Sequence, residues 1–428
     1  MTNIEAVKQI DAIIGALTNL KTGLQPSPLS TYTVTTGVNL RGLLETVPAG
    51  ALVRCEPGTY TGPFILNKPV TITSTLPPKA GRATADAGVW LTSAEETVTI
   101  VGSDVTLSGV GVKSTNPDYQ LVNIPHGAQR TVLDQVTALG DPVKGQRRGL
   151  RPEGADVKIL RCYIDHIGGV GRETQGIGFS LGGSDITIDD CYVSAAAESI
   201  MVGGSDTPSA ERIPTRIRIT RSTLTKRPEW YTMNWQIKNA LELKCALDVT
   251  VSECLLQYAG ISEGQGGYLI VLTPKNQDGA APWSTVQNVT IERIHGVMGG
   301  GCVSFLGSDY SHPSGPLKNV VIREALFEGI NPQGPTKGDG RCFFFNRAPQ
   351  QVTLENITVK GQNMTSNVYL GPFEMPPTGL VLRNMVLPPA TYPIKIDGGG
   401  QGEAALKAWA PDIIMERVGT ADATGATP

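Results

Sequence analysis

Along most of the chain one eight-residue pattern returns: apolar, any, apolar, two polar, small or apolar, any, apolar. It is written VTLSGVGV, TVLDQVTA, VKILRCYI, ITIDDCYV, IRITRSTL, VTVSECLL, VTIERIHG, VVIREALF, VTLENITV and LVLRNMVL. The third positions are Leu107, Leu133, Ile159, Ile188, Ile219, Val251, Ile291, Ile322, Leu354 and Leu382. The steps are roughly 26 to 32 residues, with one of about 40, in the range of solenoid repeats. Period-2 alternation and β-branched enrichment make each unit a strand. No helical segment of strand-crossover length separates the units, so a βαβ array is excluded. A second strand recurs out of phase, in GIGFSLGG, SIMVGGS, ALELKC, YLIVLT, CVSFLGS, CFFFNR and VYLGPF. Short strands at this spacing, joined by Gly, Asn and Asp turns, predict an all-β chain. The expected architecture is a right-handed parallel β-helix, a solenoid of about 10–12 coils, each lying about 4.8 Å from the last.

Three positions after each anchor stand Val110, Val136, Cys162, Cys191, Ser222, Cys254, Ile294, Ala325, Ile357 and Met385. This is one inward column, in which cysteine acts as a small hydrophobe. Two positions further come Val112, Ala138, Ile164, Val193, Leu224, Leu256, Phe327, Val359 and Leu387, a second inward column broken by Gly296. The seven cysteines show no C-x-x-C and no zinc-ligand spacing. No metal site and no cofactor motif is expected. His126, His166, His295 and His312 are isolated along the chain.

Composition narrows the function. A net charge of −3 over 428 residues argues against a nucleic-acid partner. No apolar run is long enough to span a membrane. The start, MTNIEAVKQIDAIIGALTNLKTGL, carries Glu5 and Asp11 and a periodic apolar stripe, so it does not read as a signal peptide. Synthesis in a host cytoplasm without export is the expectation. The stripe Ala6, Ile10, Ile13, Leu17, Leu20 and Leu24 predicts a short N-terminal α-helix over 1–25. It is either a trimeric stalk or docking peg, or an amphipathic helix folded back on the rod. A proline linker over 26–34 follows, then the β-helix over 35–395 and a C-terminal cap and tail over 396–428.

The stretch GVNLRGLLETVPAGALVRCEPGTYTGPFILNKPVTITS resembles the opening of right-handed parallel β-helix proteins of the pectate-lyase-like group. There a short amphipathic helix, here around Leu40 to Val47, caps the first coil. The region from Glu198 to Ile322 resembles uncharacterised β-helix repeat proteins of bacteria and their phages, which implies the fold and no activity. The calcium-binding aspartates and catalytic arginine of pectate lyases have no counterpart in this sequence. The plan of N-terminal peg, proline hinge and β-helix body resembles phage tailspikes and head fibres.

Candidate chemistry gathers on the second strand family. Its outward column reads Met201, Glu242, Ile270, Ser304, Phe344 and Tyr369, with Gly203, Lys244, Leu272, Leu306 and Asn346 beside it. Glu242 and Lys244 lie two apart and so share a face. They are either an acid–base pair or a salt bridge beneath loops. Glu198 or Asp206 would supply a second carboxylate, as glycoside hydrolysis requires. The insertions SDTPSAERIPTR, KRPEWYTMNWQIKN and PKNQDGAAPWST bring Trp230, Tyr231, Trp235 and Trp283 beside Lys226, Lys238, Lys275 and Asn276. Aromatic faces beside amides and ammoniums suit sugar rings. The same tryptophans would equally pack the loops onto the rod. Four Gly-Ser-Asp triplets recur, at Gly102, Gly183, Gly204 and Gly307, and Asp104 and Asp185 suit Asx-turns.

These features favour a bacteriophage virion-associated appendage (tailspike, tail fibre or head fibre) that binds a bacterial surface polysaccharide. It would be a homotrimer through its N-terminal helix, joined to a virion head or tail protein. A polysaccharide lyase or glycoside hydrolase, and a purely structural virion decoration protein, are the alternatives.

Overall fold

The computed structural model describes residues 30–260 and 266–420. The helix expected over 1–25 and the tail after 420 lie outside the described residues. Within them the chain winds as a right-handed parallel β-helix with three parallel strand ladders. The first ladder begins with Thr31–Val34 on Ala51–Cys55 and ends with Ile414–Thr420 on Val381–Leu387. The second runs from Gly58–Thr61 to His295–Val297. From Leu317–Ile330 onward, single long strands cover both faces. The third ladder holds twelve strands, from Phe64–Leu66 to Ala390–Ile396, and gives the rod an axial length of roughly 50 Å. Because Thr31–Val34 is already a strand of the first coil, the rod starts inside the segment expected to be a linker.

Registers run anchor to anchor. Leu133 pairs with both Leu107 and Ile159, and Ile188 with Ile159 and Ile219. Each anchor is fully buried, which places the core inside the coil. The cysteine column is a stack. The Cys162 N–H donates to Cys191 Sγ at 3.4 Å, and the Cys191 N–H donates to Ser222 Oγ at 3.0 Å. All seven cysteines are free and buried. Burial pushes the Cys254 thiol up to about 11 and the Cys55 thiol up to about 12, so neither is a nucleophile at neutral pH. The gap at Gly296 is filled from the next coil. A Cβ there would stand 2.4 Å from Phe327 Cδ1, so the large ring needs a residue without a side chain below it.

The two polar positions of the repeat make the corner between the first and second faces. Gln135, Arg161, Asp190, Arg221, Glu253, Arg293, Glu324, Asn356, Asn384 and Arg417 all have φ between 48° and 57°, the left-handed region. One such residue per coil turns the chain, and its N–H stays on the axial ladder, as from Arg161 to Asp189 O at 2.9 Å. Asp104 and Asp185 take the same conformation at strand starts. Their carboxylates pair with Arg130 and Arg216 at 2.6 and 2.7 Å, so they join neighbouring coils as ion pairs.

Both ends are closed, as a bare sheet edge requires. Helix α1, Leu40–Thr46, buries Leu40 and Leu44 over the first coil, with Asn39 Oδ1 accepting the Gly42 N–H at 3.1 Å. Helix α2, Gly402–Trp409, buries Leu406 at the far end, and the Trp409 indole donates to Phe373 O at 2.7 Å.

Candidate functional site

The site lies on the outer face of the third ladder. Register fixes the outward column as Met201, Glu242, Val271, Ser304, Phe344, Tyr369 and Lys395. Sequence reasoning placed Ile270 and Leu272 there, and this is corrected. Both are fully buried in the core, paired with Leu241 and Leu243, and Val271 and Thr273 face outward instead. A slip of one residue in YLIVLT, where every position is apolar until the threonine, exchanges the two faces.

A cleft of about 520 Å³ follows this column. Glu242 and Lys244 stand at one end, and Phe344 and Arg341 toward the other. Tyr268, Thr273, Ser304 and Asn346 line its length, with Lys275, Asp309, Tyr310 and Asp339 along the sides. From Glu242 to Phe344 the cleft crosses three coil spacings, about 14 Å.

Glu242 and Lys244 are an ion pair, Oε1 to Nζ at 3.4 Å, and Asn239 Nδ2 donates to Glu242 Oε2 at 3.1 Å. Burial works against the Lys244 charge. Glu242, Glu198 and Glu173 outweigh it and hold the ammonium above its ordinary range. Glu198 is fully buried one coil back. Its Oε2 accepts from Gln175 Nε2 at 3.0 Å, and Gln175 Oε1 accepts from Arg148 Nε and Nη2 at 3.0 and 2.7 Å. Glu198 Oε1 has no hydrogen-bond partner, and Lys238 Nζ stands 3.8 Å away. Burial, then the neighbouring Glu242, push Glu198 up to about 7. Lys238 spends its closest contact on Glu173. Burial pushes Glu173 upward, but Lys238 more than offsets it and the carboxyl sits below its usual range. Lys226 is also fully buried and donates to the carbonyls of Ala195, Ala197 and Asn239 at 2.8–3.1 Å. Burial lowers it to about 7, against the pull of Glu198 and Glu242.

Of the four expected catalytic residues, Glu198, Glu242 and Lys244 come together and Asp206 does not. Asp206 is a loop tie, because its Oδ2 accepts the backbone N–H groups of Asp278 at 3.0 Å and Ala280 at 2.8 Å. The expected sugar-stacking aromatics are corrected as well. Trp230 is fully buried, Trp235 is 5 % exposed, and their rings lie 5.1 Å apart in a small second core with Ala196 and Ile237. Tyr231 packs against it, with its hydroxyl donating to Tyr258 O at 2.7 Å. Trp283 is half-buried and donates to Thr207 Oγ1 at 2.9 Å. Asn276 is buried and holds its own loop, donating to Pro313 O and accepting from the Ala281 N–H. Only Lys275 reaches the cleft, paired with Asp309 at 2.9 Å. Burial raises Asp309, but Lys275 and the N–H groups of Ser311 and Asn276 hold it below its ordinary value.

Tyr268, Tyr310, Asp339 and Arg341 escaped the sequence reading as site residues, and Asp309 entered it only as the end of the triplet at Gly307. The Tyr268 hydroxyl reaches Asp339 Oδ2 at 2.8 Å and Oδ1 at 3.0 Å. The Arg341 guanidinium lies 3.8 Å from the Tyr369 ring centre and 4.7 Å from that of Phe344. Tyr268 and Arg341 each stand at the first position of a third-ladder strand; Tyr268 opened YLIVLT unremarked, and extending CFFFNR by one residue would have found Arg341. The chain's longest insertions drew attention elsewhere.

No protein-family model matches the chain, and no curated protein matches it. Among solved structures it is similar to an alginate lyase from a Paenibacillus species, at 14% identity over 80% of this chain and 98% of that one, with a TM-score of 0.41. It is similar to the Dettilon tailspike protein at 10% identity over 79% of this chain and 56% of that one, with a TM-score of 0.48. It is also similar to the catalytic domain of a GH87 α-1,3-glucanase, at 13% identity over 92% and 69%, TM-score 0.48. At such identities the likeness is one of fold. Among the described residues no cluster of metal-ligating side chains occurs, and no helix is long and apolar enough to cross a membrane.

Proposed function

We propose that this chain binds a bacterial surface polysaccharide along the third-ladder cleft, as the β-helical body of a bacteriophage virion appendage. The observation that carries the reading is the lining of the cleft. Tyr310 is exposed and Phe344 half-buried, so these two rings are open to a ligand, and Thr273, Ser304 and Asn346 offer hydroxyl and amide groups between them. Sugar rings present both kinds of surface. An open, elongated cleft on a stiff rod suits a chain-like ligand better than a small metabolite. In this reading residues 1–25 join three copies and dock them to a virion head or tail protein. The test is binding to a panel of purified capsular and O-antigen polysaccharides. Phe344→Ala is expected to weaken binding about tenfold or more, since loss of one aromatic contact at a binding centre commonly exceeds 1.4 kcal/mol. Unchanged binding by that variant overturns the placement of the ligand.

One observation favours cleavage as a second reading. Glu242 faces the cleft beside Lys244, and a second carboxyl poised near neutrality, Glu198, lies on the adjacent coil. A hydrolase or lyase built on this cluster releases products that Glu242→Gln abolishes while binding persists. Binding without product release by the wild type excludes it. Neither binding nor cleavage leaves the structural decoration role.

A further inference from the structure

The charges in the cleft are unequally compensated. Glu242 and Lys244 neutralise one another, and Lys275 is held by Asp309, whose carboxylate also takes two backbone N–H groups. Arg341 differs. Its single ion contact among the described residues is a loose one, Nη1 to Asp339 Oδ2 at 3.5 Å. Asp339 is already engaged by the Tyr268 hydroxyl and by the Arg341 backbone N–H at 3.2 Å. Burial pushes the Asp339 carboxyl above its ordinary range despite Arg341 and Tyr268, which weakens its claim as a counter-ion. The guanidinium carbon lies close to the rings of both Tyr369 and Phe344, which are inclined 76° to one another, and its N–H donors lie in the plane of the group. The side chain is 26% exposed and lines the cleft. A loosely paired planar cation held against rings and lining a ligand groove matches an anion that accepts two parallel N–H bonds.

We infer that the polysaccharide held in this cleft carries a carboxylate on its sugars, and that Arg341 receives it beside Phe344 and Tyr369. This rests on the cleft being a polysaccharide site. A uronic acid or a pyruvate-substituted sugar presents that group. A sulfate or phosphate ester can also take two N–H bonds from the fork, and the carboxyl-reduction arm of the test separates it from a carboxylate.

The experiment uses the full chain and any polysaccharide of the panel that it binds. Each bound polysaccharide is compared with itself after chemical reduction of its carboxyl groups to alcohols. Carboxyl reduction is expected to weaken binding about 10- to 100-fold, the range for a charge-assisted contact. Arg341→Ala is expected to weaken binding of the untreated polysaccharide to the same degree and to leave binding of the reduced one unchanged, since the two changes remove one interaction. Arg341→Lys keeps the charge and most of the packing but loses the fork, and is expected to recover only part of the affinity. That variant keeps the test decisive where the alanine variant folds poorly. Tight binding of a polysaccharide without carboxylates, or equal binding before and after reduction, overturns the inference while leaving the cleft a glycan site. Absence of binding to every polysaccharide overturns the function reading, and the inference with it.

Discussion

Glu198→Gln is the most informative perturbation of the buried charges. The carboxyl moves from an ordinary value of 4.5 in the unfolded chain to about 7 in the folded one. Between those values the folded protein keeps a proton that the unfolded chain releases, so this group's contribution to stability falls as pH rises through that window. A shift of roughly 2.5 units at about 1.36 kcal/mol per unit gives a loss of about 3 kcal/mol across the window, complete above pH 7. Glutamine does not titrate and can still accept from Gln175. The measurement is equilibrium urea unfolding of both proteins, followed by tryptophan fluorescence, at pH 5 and pH 7.5. The stability of the wild type relative to the variant is expected to drop by roughly 2–3 kcal/mol from the lower to the higher pH. A relative stability that stays level, or rises, would show that Glu198 is an ordinary ionised carboxylate held by Lys238, and would sink the account of the cluster. Lys226 acts in the next window. Its ammonium is lowered from 10.5 to about 7, so above pH 7 the unfolded chain binds the extra proton and stability recovers with pH up to about 10.5. Keeping the comparison at or below pH 7.5 largely separates the two groups.

Three further outcomes follow from the packing. Phe345 is 1 % exposed and stacks on Phe305 of the preceding coil at 4.7 Å, so Phe345→Ala is expected to cost about 3–5 kcal/mol in urea unfolding. All seven cysteines are buried, so a thiol reagent is expected to label none in the native protein and seven after denaturation, and rapid native labelling of Cys162 or Cys191 would place them outside the core. Arg82 pins the segment between Ser74 and Val89 to later coils, reaching Asp190 at 2.6 Å, Thr223 Oγ1 at 3.0 Å and Arg221 O at 2.5 Å, so Arg82→Ala is expected to open it to limited proteolysis at a cost of about 1–2 kcal/mol.

What the sequence revealed depended on how strongly each position is forced by its neighbours. The anchor column from Leu107 to Leu382 and the cysteine column were legible because axial stacking repeats one environment every coil. The Gly296 gap looked like a defect, and only the seating of Phe327 explains it. The corners were not legible. Each eight-residue unit reads as one strand, whereas the structure splits it at polar pairs such as Asp189–Asp190, where arginine and glutamate in the left-handed region run against local preference and are held by the axial ladder. The site was legible only where polarity alternated. LELK placed Glu242 and Lys244 correctly, whereas the unbroken apolar run YLIVL gave no parity to read. The loops misled most, because tryptophans beside lysines look alike in a string whether they face a ligand or the rod.

The buried tryptophans and the buried charges belong to one construction. The segment that contributes Trp230 and Trp235 also contributes Lys226, Lys238 and Asn239, all buried. Trp235 seats on Gly168, where a Cβ would meet Trp235 Cε3 at 2.0 Å, so the backbone itself is shaped for that ring. This seat holds the segment against the turns between the second and third ladders, at Gly168 and Ala196, beside the buried Glu198. Removing water is what raises Glu198, and Lys226 and Lys238 on the same segment supply the compensating charge. Glu242 and Lys244, one coil onward, lie where the cover ends and the cleft begins. The insertion therefore acts on the site from beneath, by setting the ionisation of a buried carboxyl. The groups left to meet a ligand are those that the short strands themselves present at the surface of the cleft, Lys244, Ser304, Phe344 and Arg341.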